Sequence, residues 1–127
     1  MTRIAFVVCA LALVSASAWS RTVQPAAAAQ TVDIAAERFS FTPSEVKTTA
    51  GTALTIRLTS DDTAHGFRIL GTDVNVEIPK RSRGVTTVSF TPAKAGRYTF
   101  ECSKLCGAGH SFMRGVIVVD DTAEGTR

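Results

Sequence analysis

Soft, metal-binding side chains recur at short intervals near the end of the chain. Segment 102–113 reads C-S-K-L-C-G-A-G-H-S-F-M and supplies four of them: Cys102, Cys106, His110 and Met113. Together with His65 they are every cysteine, histidine and methionine of the 127 residues, apart from one cysteine and one methionine among the first nine residues. Thiolate, imidazole and thioether groups prefer copper or zinc to magnesium or calcium. The sequence therefore predicts a site for copper or zinc.

Several kinds of site fit these residue types. A Cys102–Cys106 disulfide suits an oxidising compartment but leaves the histidines and the methionine unexplained. One face of a helix is disfavoured, because the two glycines of the segment would each cost about 1 kcal/mol there. A tetrahedral zinc site would use both cysteines and both histidines and leave Met113 in the core. A mononuclear blue copper site needs two histidines, one cysteine and a weak axial methionine, which leaves one thiolate without a role. Two copper ions suit the set better than one.

The elements that must position these ligands are predicted to be short strands. Segments of four to six residues, rich in Val, Thr, Ile and Phe, are separated by turn signals: 31–36, 46–49, 54–58, 67–70, 74–78, 85–90, 97–101 and 116–119. This pattern indicates an all-β fold, an antiparallel sandwich or barrel without a convincing helix. Cys102 then ends a strand and His65 lies just before another, so neighbouring loops at one end would supply the ligands. Gly107 and Gly109 allow the second loop to wind tightly.

Segment 102–113 resembles a known metal-binding loop. Its pattern C-S-x-x-C-G-x-x-H-x-x-M is similar to that of the dinuclear copper A (CuA) site of cytochrome c oxidase subunit II and, in variant form, of nitrous oxide reductase. The preceding D-x-x-H-G-F of residues 62–67 resembles the strand that brings the first histidine in both families. The resemblance covers about residues 31–119 and implies a cupredoxin-like Greek-key β-sandwich over residues 30–121.

The resemblance also implies a ligand set for two copper ions. It consists of six residues: His65, Cys102, Lys104 (through its backbone carbonyl), Cys106, His110 and Met113. The cysteines would bridge the two ions, each ion would take one histidine, and the methionine would be a weak ligand. Shared thiolates would spread one electron over both ions, so bond lengths would change little on reduction and the barrier to electron transfer would be low. The apolar surroundings that tune the potential are expected to include Phe67 and Phe112.

The implied function is electron transfer rather than catalysis by the domain itself. The expected partners are redox proteins, either a cytochrome c-like donor or an oxidase or reductase acceptor. Copper storage, delivery or sensing is the alternative on the same fold. A thiol–disulfide protein is disfavoured by the C-x₃-C spacing. Position 104 is usually acidic in the oxidase subunit, so Lys104 puts an oxidase-type subunit contact in doubt. The Trp-rich segment for electron entry is also missing, since Trp19 is the only tryptophan.

The first 29 residues have the pattern of an export signal followed by an Ala-rich linker. Arg3 precedes an apolar run over residues 4–14 and then Ala16-Ser17-Ala18, a typical cleavage site. Cleavage is expected after Ala18 or, as a second candidate, after Ala29. An uncleaved anchor is the alternative, although a spanning helix needs about 20 apolar residues. The domain is therefore predicted to be exported, to the periplasm or the outer face of the cytoplasmic membrane, with residues 122–127 as a tail. Membrane contact is expected only through an N-terminal tether or a partner complex.

The net charge depends on that leader. The chain has 14 Lys and Arg against 11 Asp and Glu, a formal charge of +3, but two of the arginines lie in the first 29 residues. The remainder has 12 basic and 11 acidic residues, a balance that gives no support to nucleic-acid binding. Residues 80–83, which read K-R-S-R, form the only basic run and are expected to be a solvated loop that could dock an acidic partner.

Overall fold

The computed structural model describes residues 28–121, which form nine strands and one short 3₁₀ turn. The strands are Ala29–Glu37 (β1), Ser40–Thr42 (β2), Glu45–Thr49 (β3), Ala53–Ser60 (β4), His65–Ile69 (β5), Asn75–Ile78 (β6), Thr86–Phe90 (β7), Gly96–Glu101 (β8) and Arg114–Asp120 (β9). The turn, His110–Phe112, lies between β8 and β9. All eight predicted segments overlap a strand. The predicted leader, up to residue 27, and the tail at 122–127 lie outside the described residues, and β1 begins one residue before the expected start of the domain.

The strands form two sheets, which confirms the predicted all-β sandwich. One sheet has the order β2-β1-β4-β7 and the other has the order β3-β9-β8-β5-β6. Strand β4 shows how the first sheet faces the core, because Leu54, Ile56 and Leu58 alternate with more exposed residues and are buried. Fully burying an aliphatic side chain of this size contributes about 1.5–3 kcal/mol. The period-2 pattern of the sequence therefore fixes which face of the strand is buried.

The prediction that the strands are all antiparallel is wrong for two pairs. Strand β1 runs parallel to β4, and β3 runs parallel to β9. For β1 and β4 the cause is the crossover of the chain between the sheets. After β2 the chain moves to the second sheet as β3 and then returns beside β1 as β4. Hairpins pair antiparallel, whereas strands joined by a crossover can align in the same direction.

A cluster of three buried phenylalanines lies under one end of the sandwich. The rings of Phe67 and Phe100 have centroids 5.1 Å apart, and Phe41 packs edge-on against both at 5.9 and 5.3 Å. Phe67 follows His65 by two residues, and Phe100 precedes Cys102 by two. Since residues two apart in a strand share a face, this cluster fixes the strand ends that carry both ligand candidates.

Candidate metal centre

Strands β5, β8 and β9 converge where the predicted ligands lie. His65 is the first residue of β5, and Cys102 directly follows β8. The two strands pair antiparallel, with Arg68 opposite Glu101, so the start of one meets the end of the other. His110 opens the 3₁₀ turn, and Met113 directly precedes β9. As expected, residues 102–113 form a loop rather than one face of a helix.

The two cysteine sulfurs lie at the centre of this site. Cys102 Sγ and Cys106 Sγ are 3.7 Å apart and both cysteines are free. A disulfide bond measures about 2.05 Å, so the structure describes two separate thiols. The ligand atoms of His65 and both cysteines all lie within 4.8 Å of one another.

Each sulfur has its own two neighbouring donors. Cys102 Sγ lies 3.9 Å from His65 Nδ1 and 3.1 Å from the carbonyl oxygen of Lys104. Cys106 Sγ lies 3.7 Å from His110 Nδ1 and 3.8 Å from Met113 Sδ. The structure thus brings together all six residues that the resemblance implied. That they bind metal stays a prediction.

Burial differs between the two histidines. His65 and Met113 are fully buried, and both cysteines are almost so. His110 is only half-buried and is therefore the ligand candidate whose own donor side chain reaches the surface. Phe67 is part of the apolar surroundings, as expected, but the prediction for Phe112 is wrong. Its side chain is 81% exposed, because the 3₁₀ turn has no buried residue and directs it into solvent.

Asp62 fixes the orientation of the His65 ring. Its Oδ1 lies 2.7 Å from His65 Nε2, so in the neutral ring Nε2 donates this hydrogen bond and Nδ1 is free to face Cys102. Burial by itself would raise the pKa of the Asp62 carboxyl. Hydrogen bonds from His65 and from the backbone of Arg38 and Thr63 outweigh it and lower the pKa to about 2. The carboxylate is consequently ionised and accepts these bonds.

Arg38 is a site residue that sequence reasoning missed. Its Nε donates to the carbonyl oxygen of Cys106 at 2.8 Å, and its backbone N–H donates to Asp62 Oδ2 at 3.0 Å. The residue thereby joins the β1–β2 corner to both ligand-bearing loops. No local pattern could have revealed it, because 68 positions separate Arg38 from Cys106.

The environment of Cys106 opposes the thiolate in the absence of a cation. Burial raises the pKa of its thiol to about 11, and the neighbouring Cys102 adds to the increase, while the Arg38 guanidinium acts in the opposite direction. Two buried thiolates this close would repel each other strongly. A bound cation would supply the missing compensation, since a coordinating thiol is deprotonated outright.

Close backbone contacts require glycine beside the sulfurs. The N–H of Gly66 points at Cys102 Sγ, 3.4 Å away, and a Cβ added there would lie 2.2 Å from Ser103 Oγ and 2.6 Å from Lys104 N. Gly66 belongs to the D-x-x-H-G-F pattern, which was its only signal in the sequence. Gly107 adopts a φ of 141°, and Phe39 packs over it. The expected tight winding of the loop therefore occurs.

The two ends of the loop are held together. The N–H of Cys102 donates to the carbonyl oxygen of Met113 at 3.0 Å, and the adjacent pair Glu101 and Arg114 lie opposite each other in the β8–β9 ladder. Arg68 Nε donates to Glu101 Oε1 at 2.9 Å, which joins β5 to the same point. The loop therefore starts and ends on a closed ladder.

Lys104 points away from the sulfurs although its carbonyl approaches one. Its Nζ lies 3.0 Å from Glu77 Oε2, and the neighbouring Ser103 Oγ donates to Asn75 Oδ1 at 2.7 Å. Both contacts fasten the first part of the loop to β6. Across residues 28–121 the structure has no helix long and apolar enough to cross a membrane.

Comparisons with known proteins identify the family. A family model described as a cupredoxin-like domain matches residues 4–119. Cytochrome c oxidase subunit 2 of Thermus thermophilus is 36% identical over 91 residues, which are 72% of this chain and 66% of the relative. The chain thus spans slightly less than two thirds of that protein.

Solved structures extend the comparison. A heme-copper terminal oxidase dimer contains a chain that is 30% identical, with a TM-score of 0.64 and coverage of 72% of this chain and 65% of that one. Auracyanin A, a blue copper protein of Chloroflexus aurantiacus, has a TM-score of 0.58 at 20% identity and covers 72% of this chain and 99% of its own. This last likeness shows the shared fold alone.

Proposed function

The chain belongs to the cupredoxin-like family, and on that premise we propose that it is an exported electron-transfer domain with a dinuclear copper centre. Copper is supported by the family and by the softness of the donors. Export is supported by the leader pattern of the first 29 residues. The similarity to oxidase subunit 2 supports a place beside a terminal oxidase, as a component or as a separate carrier that exchanges electrons with redox partner proteins.

The observation that carries the proposal is the duplicated set of donors. Each of two sulfurs, 3.7 Å apart, has its own imidazole nitrogen and its own third donor within 3.9 Å. A blue copper site needs only one thiolate, so it would leave the second sulfur buried without a role. Two sulfurs at this distance can both bond to one ion, because their separation is less than twice a zinc–sulfur bond of about 2.3 Å. They can therefore be shared between two ions.

When bound, copper supplies the one-electron redox couple, and the chain contributes binding, orientation and a fixed environment. Asp62 holds the His65 ring, and Arg38 holds the carbonyl of Cys106. The buried cysteines and Met113 exclude water from the donors. These fixed positions limit the rearrangement that accompanies a change in charge, which keeps the barrier to electron transfer low.

The exposed surface around the loop offers a route for electrons. His110 is only half-buried, and Leu105 and Phe112 expose 80% and 81% of their surface on the same loop. Exposed apolar side chains on a ligand-bearing loop suit brief contact with another protein, because apolar groups are easily desolvated. We therefore assign electron exchange to this surface.

The deciding experiment is copper reconstitution followed by metal analysis and electron paramagnetic resonance. Two coppers per chain sharing one unpaired electron are expected. Cys106→Ser should destroy the dinuclear signal, whereas Ser111→Ala, an exposed change in the same loop, should keep it. One localised copper in the unsubstituted chain would refute the dinuclear centre, and selective zinc uptake would refute copper altogether.

A mononuclear blue copper carrier is the second candidate. The structural likeness to auracyanin A favours it at the level of the fold. In that case one cysteine would suffice. One of the two variants Cys102→Ser and Cys106→Ser would then keep an intact copper signal, and the other would lose it. Copper storage or delivery would instead require copper that leaves readily to a chelator without supporting electron transfer.

A further inference from the structure

A group of exposed cations lies beside the metal centre without any role in it. Residues 80–83, here called the basic turn, contain Lys80, Arg81 and Arg83, and all are exposed. The turn has a defined shape. Arg83 N–H donates to the Lys80 carbonyl at 3.0 Å, and Ser82 adopts the left-handed conformation with φ 61°. The backbone of the basic turn therefore has a defined shape, from which its three exposed cations extend.

The position of the basic turn is set by the strand that carries His65. In the β5–β6 ladder His65 is paired with Ile78, and Lys80 follows Ile78 by two residues. With strand spacings of about 5 Å and a rise of about 3.4 Å per residue, the Cα atoms of Lys80 and His65 lie within about 12 Å. Arg81 N–H also donates to the carbonyl of Asp62 at 3.1 Å, which ties the turn to the His65 loop. The backbone of the basic turn therefore lies next to the loop that carries His65.

These cations are not neutralised within residues 28–121. Other basic residues in that range form ion pairs, such as Arg57 with Asp33 and Lys104 with Glu77, but none of the three in the basic turn does. The acidic groups nearest to the turn in sequence and ladder are Asp61, Asp62 and Glu77. Asp62 is bonded to His65, and Glu77 is paired with Lys104. Of these three acids, exposed Asp61 alone forms no ion pair within the described residues.

We propose that the basic turn is a docking surface for a redox partner that carries an acidic patch beside its own redox centre. This inference rests on the proposed electron-transfer function. Opposite charge next to a centre speeds encounter and orients the partner, while the apolar Leu105 and Phe112 provide the contact for transfer. An anionic membrane is the less favourable occupant, because lipid-binding clusters contain about 4–8 basic residues and the turn has three.

The test compares two double variants that change the net charge equally. Lys80→Glu/Arg83→Glu reverses the charge of two residues of the basic turn. Lys94→Glu/Arg97→Glu reverses the charge of two exposed residues at the opposite end of the sandwich. Their position there follows from nearby Pro92, whose carbonyl accepts a hydrogen bond from Gly51 N–H, just before the start of β4. The second-order rate of electron exchange is measured by stopped flow with a cytochrome c whose haem edge is acidic and with one whose haem edge is basic, at low and high salt.

At low salt, the rate of electron exchange with the acidic cytochrome should fall about tenfold in the turn variant. The same rate should be unchanged in the opposite-end variant. High salt should remove the difference. The proposal is overturned if the basic cytochrome reacts faster with the unsubstituted protein, if both variants change equally, or if neither changes.

Binding to the copper-free protein separates this inference from the proposed function. Titration of the acidic cytochrome at low salt should show affinity that the turn variant loses, whether or not the loaded site is dinuclear. Binding of phosphatidylglycerol vesicles that depends on the turn, with no binding of the cytochrome, would refute a protein partner. If the reconstituted protein lacked a dinuclear copper centre, the proposed function would be refuted, but this binding would remain.

Discussion

Arg38 Nε donates a hydrogen bond to the carbonyl oxygen of Cys106, 2.8 Å away, and so connects the first corner of the sandwich to the middle of the ligand loop. We expect Arg38→Met to lower the free energy of unfolding by about 1 kcal/mol, the usual net value of such a bond. Because a positive charge beside the centre disappears, the reduction potential should also fall. Arg38→Lys keeps the charge, so its reduction potential should be closer to that of the unsubstituted protein than its free energy of unfolding is. Redox titration and urea unfolding measure the two effects, and equal potentials in both variants would contradict the electrostatic role.

Asp62→Asn should weaken copper binding by orienting His65 less firmly. The carboxylate accepts from His65 Nε2 at 2.7 Å, and loss of such a partner costs about 10–100-fold in metal affinity. Competition with a copper chelator gives the affinity. Asp61→Asn is the matched control, since that exposed neighbour has no contact with the ring, and it should bind as the unsubstituted protein does. Equal losses in the two variants would mean that overall charge, rather than this hydrogen bond, matters.

Met113→Leu should keep two coppers per chain but shift the potential. Leucine conserves most of the volume of this fully buried side chain, so the free energy of unfolding should fall by less than about 1.5 kcal/mol. Removal of a weak thioether donor destabilises the oxidised centre, and the potential should rise. Voltammetry measures the change. An unaltered potential would show that Met113 only fills space beside Cys106.

Gly66→Ala should displace the first part of the ligand loop. The added methyl group would lie 2.2 Å from Ser103 Oγ and 2.6 Å from the backbone nitrogen of Lys104, so the backbone has to move. We expect a loss of about 1–3 kcal/mol in unfolding free energy together with reduced copper content.

Gly71→Ala is the control for that substitution. Its φ of 80° strains an alanine, but an added Cβ meets nothing within 4 Å. It should cost stability without changing copper content. If Gly66→Ala lost stability yet bound two coppers normally, the close approach would have no bearing on the centre.

The sequence predicted those features that depend on local patterns. Leu54, Ile56 and Leu58 alternate, so the strand and its buried face followed from periodicity. The ligand candidates followed from their chemical softness and spacing, and the loop sequence was specific enough to indicate the family. Features that depend on how distant segments meet were not predictable. The parallel pairing of β1 with β4 depends on a crossover, and Arg38 reaches Cys106 only through the folded arrangement.

Phe112 illustrates a different limit. Its hydrophobicity suggested a place around the centre, yet the 3₁₀ turn directs it into solvent. Residue type reports how much a side chain gains from burial, but the backbone decides whether burial occurs. An exposed aromatic residue therefore needs a structure before its role can be assigned.

The hydrogen bond between Cys102 N–H and the Met113 carbonyl closes the ladder beneath the loop. The intervening residues can consequently change without disturbing the pairing of β8 with β9, and all the predicted ligands except His65 lie within this one continuous stretch. The sandwich thus serves as a scaffold, and the loop can be exchanged as a unit. A graft of residues 102–113 onto another scaffold of this family, with a histidine provided at the start of the neighbouring strand, would carry the centre with it.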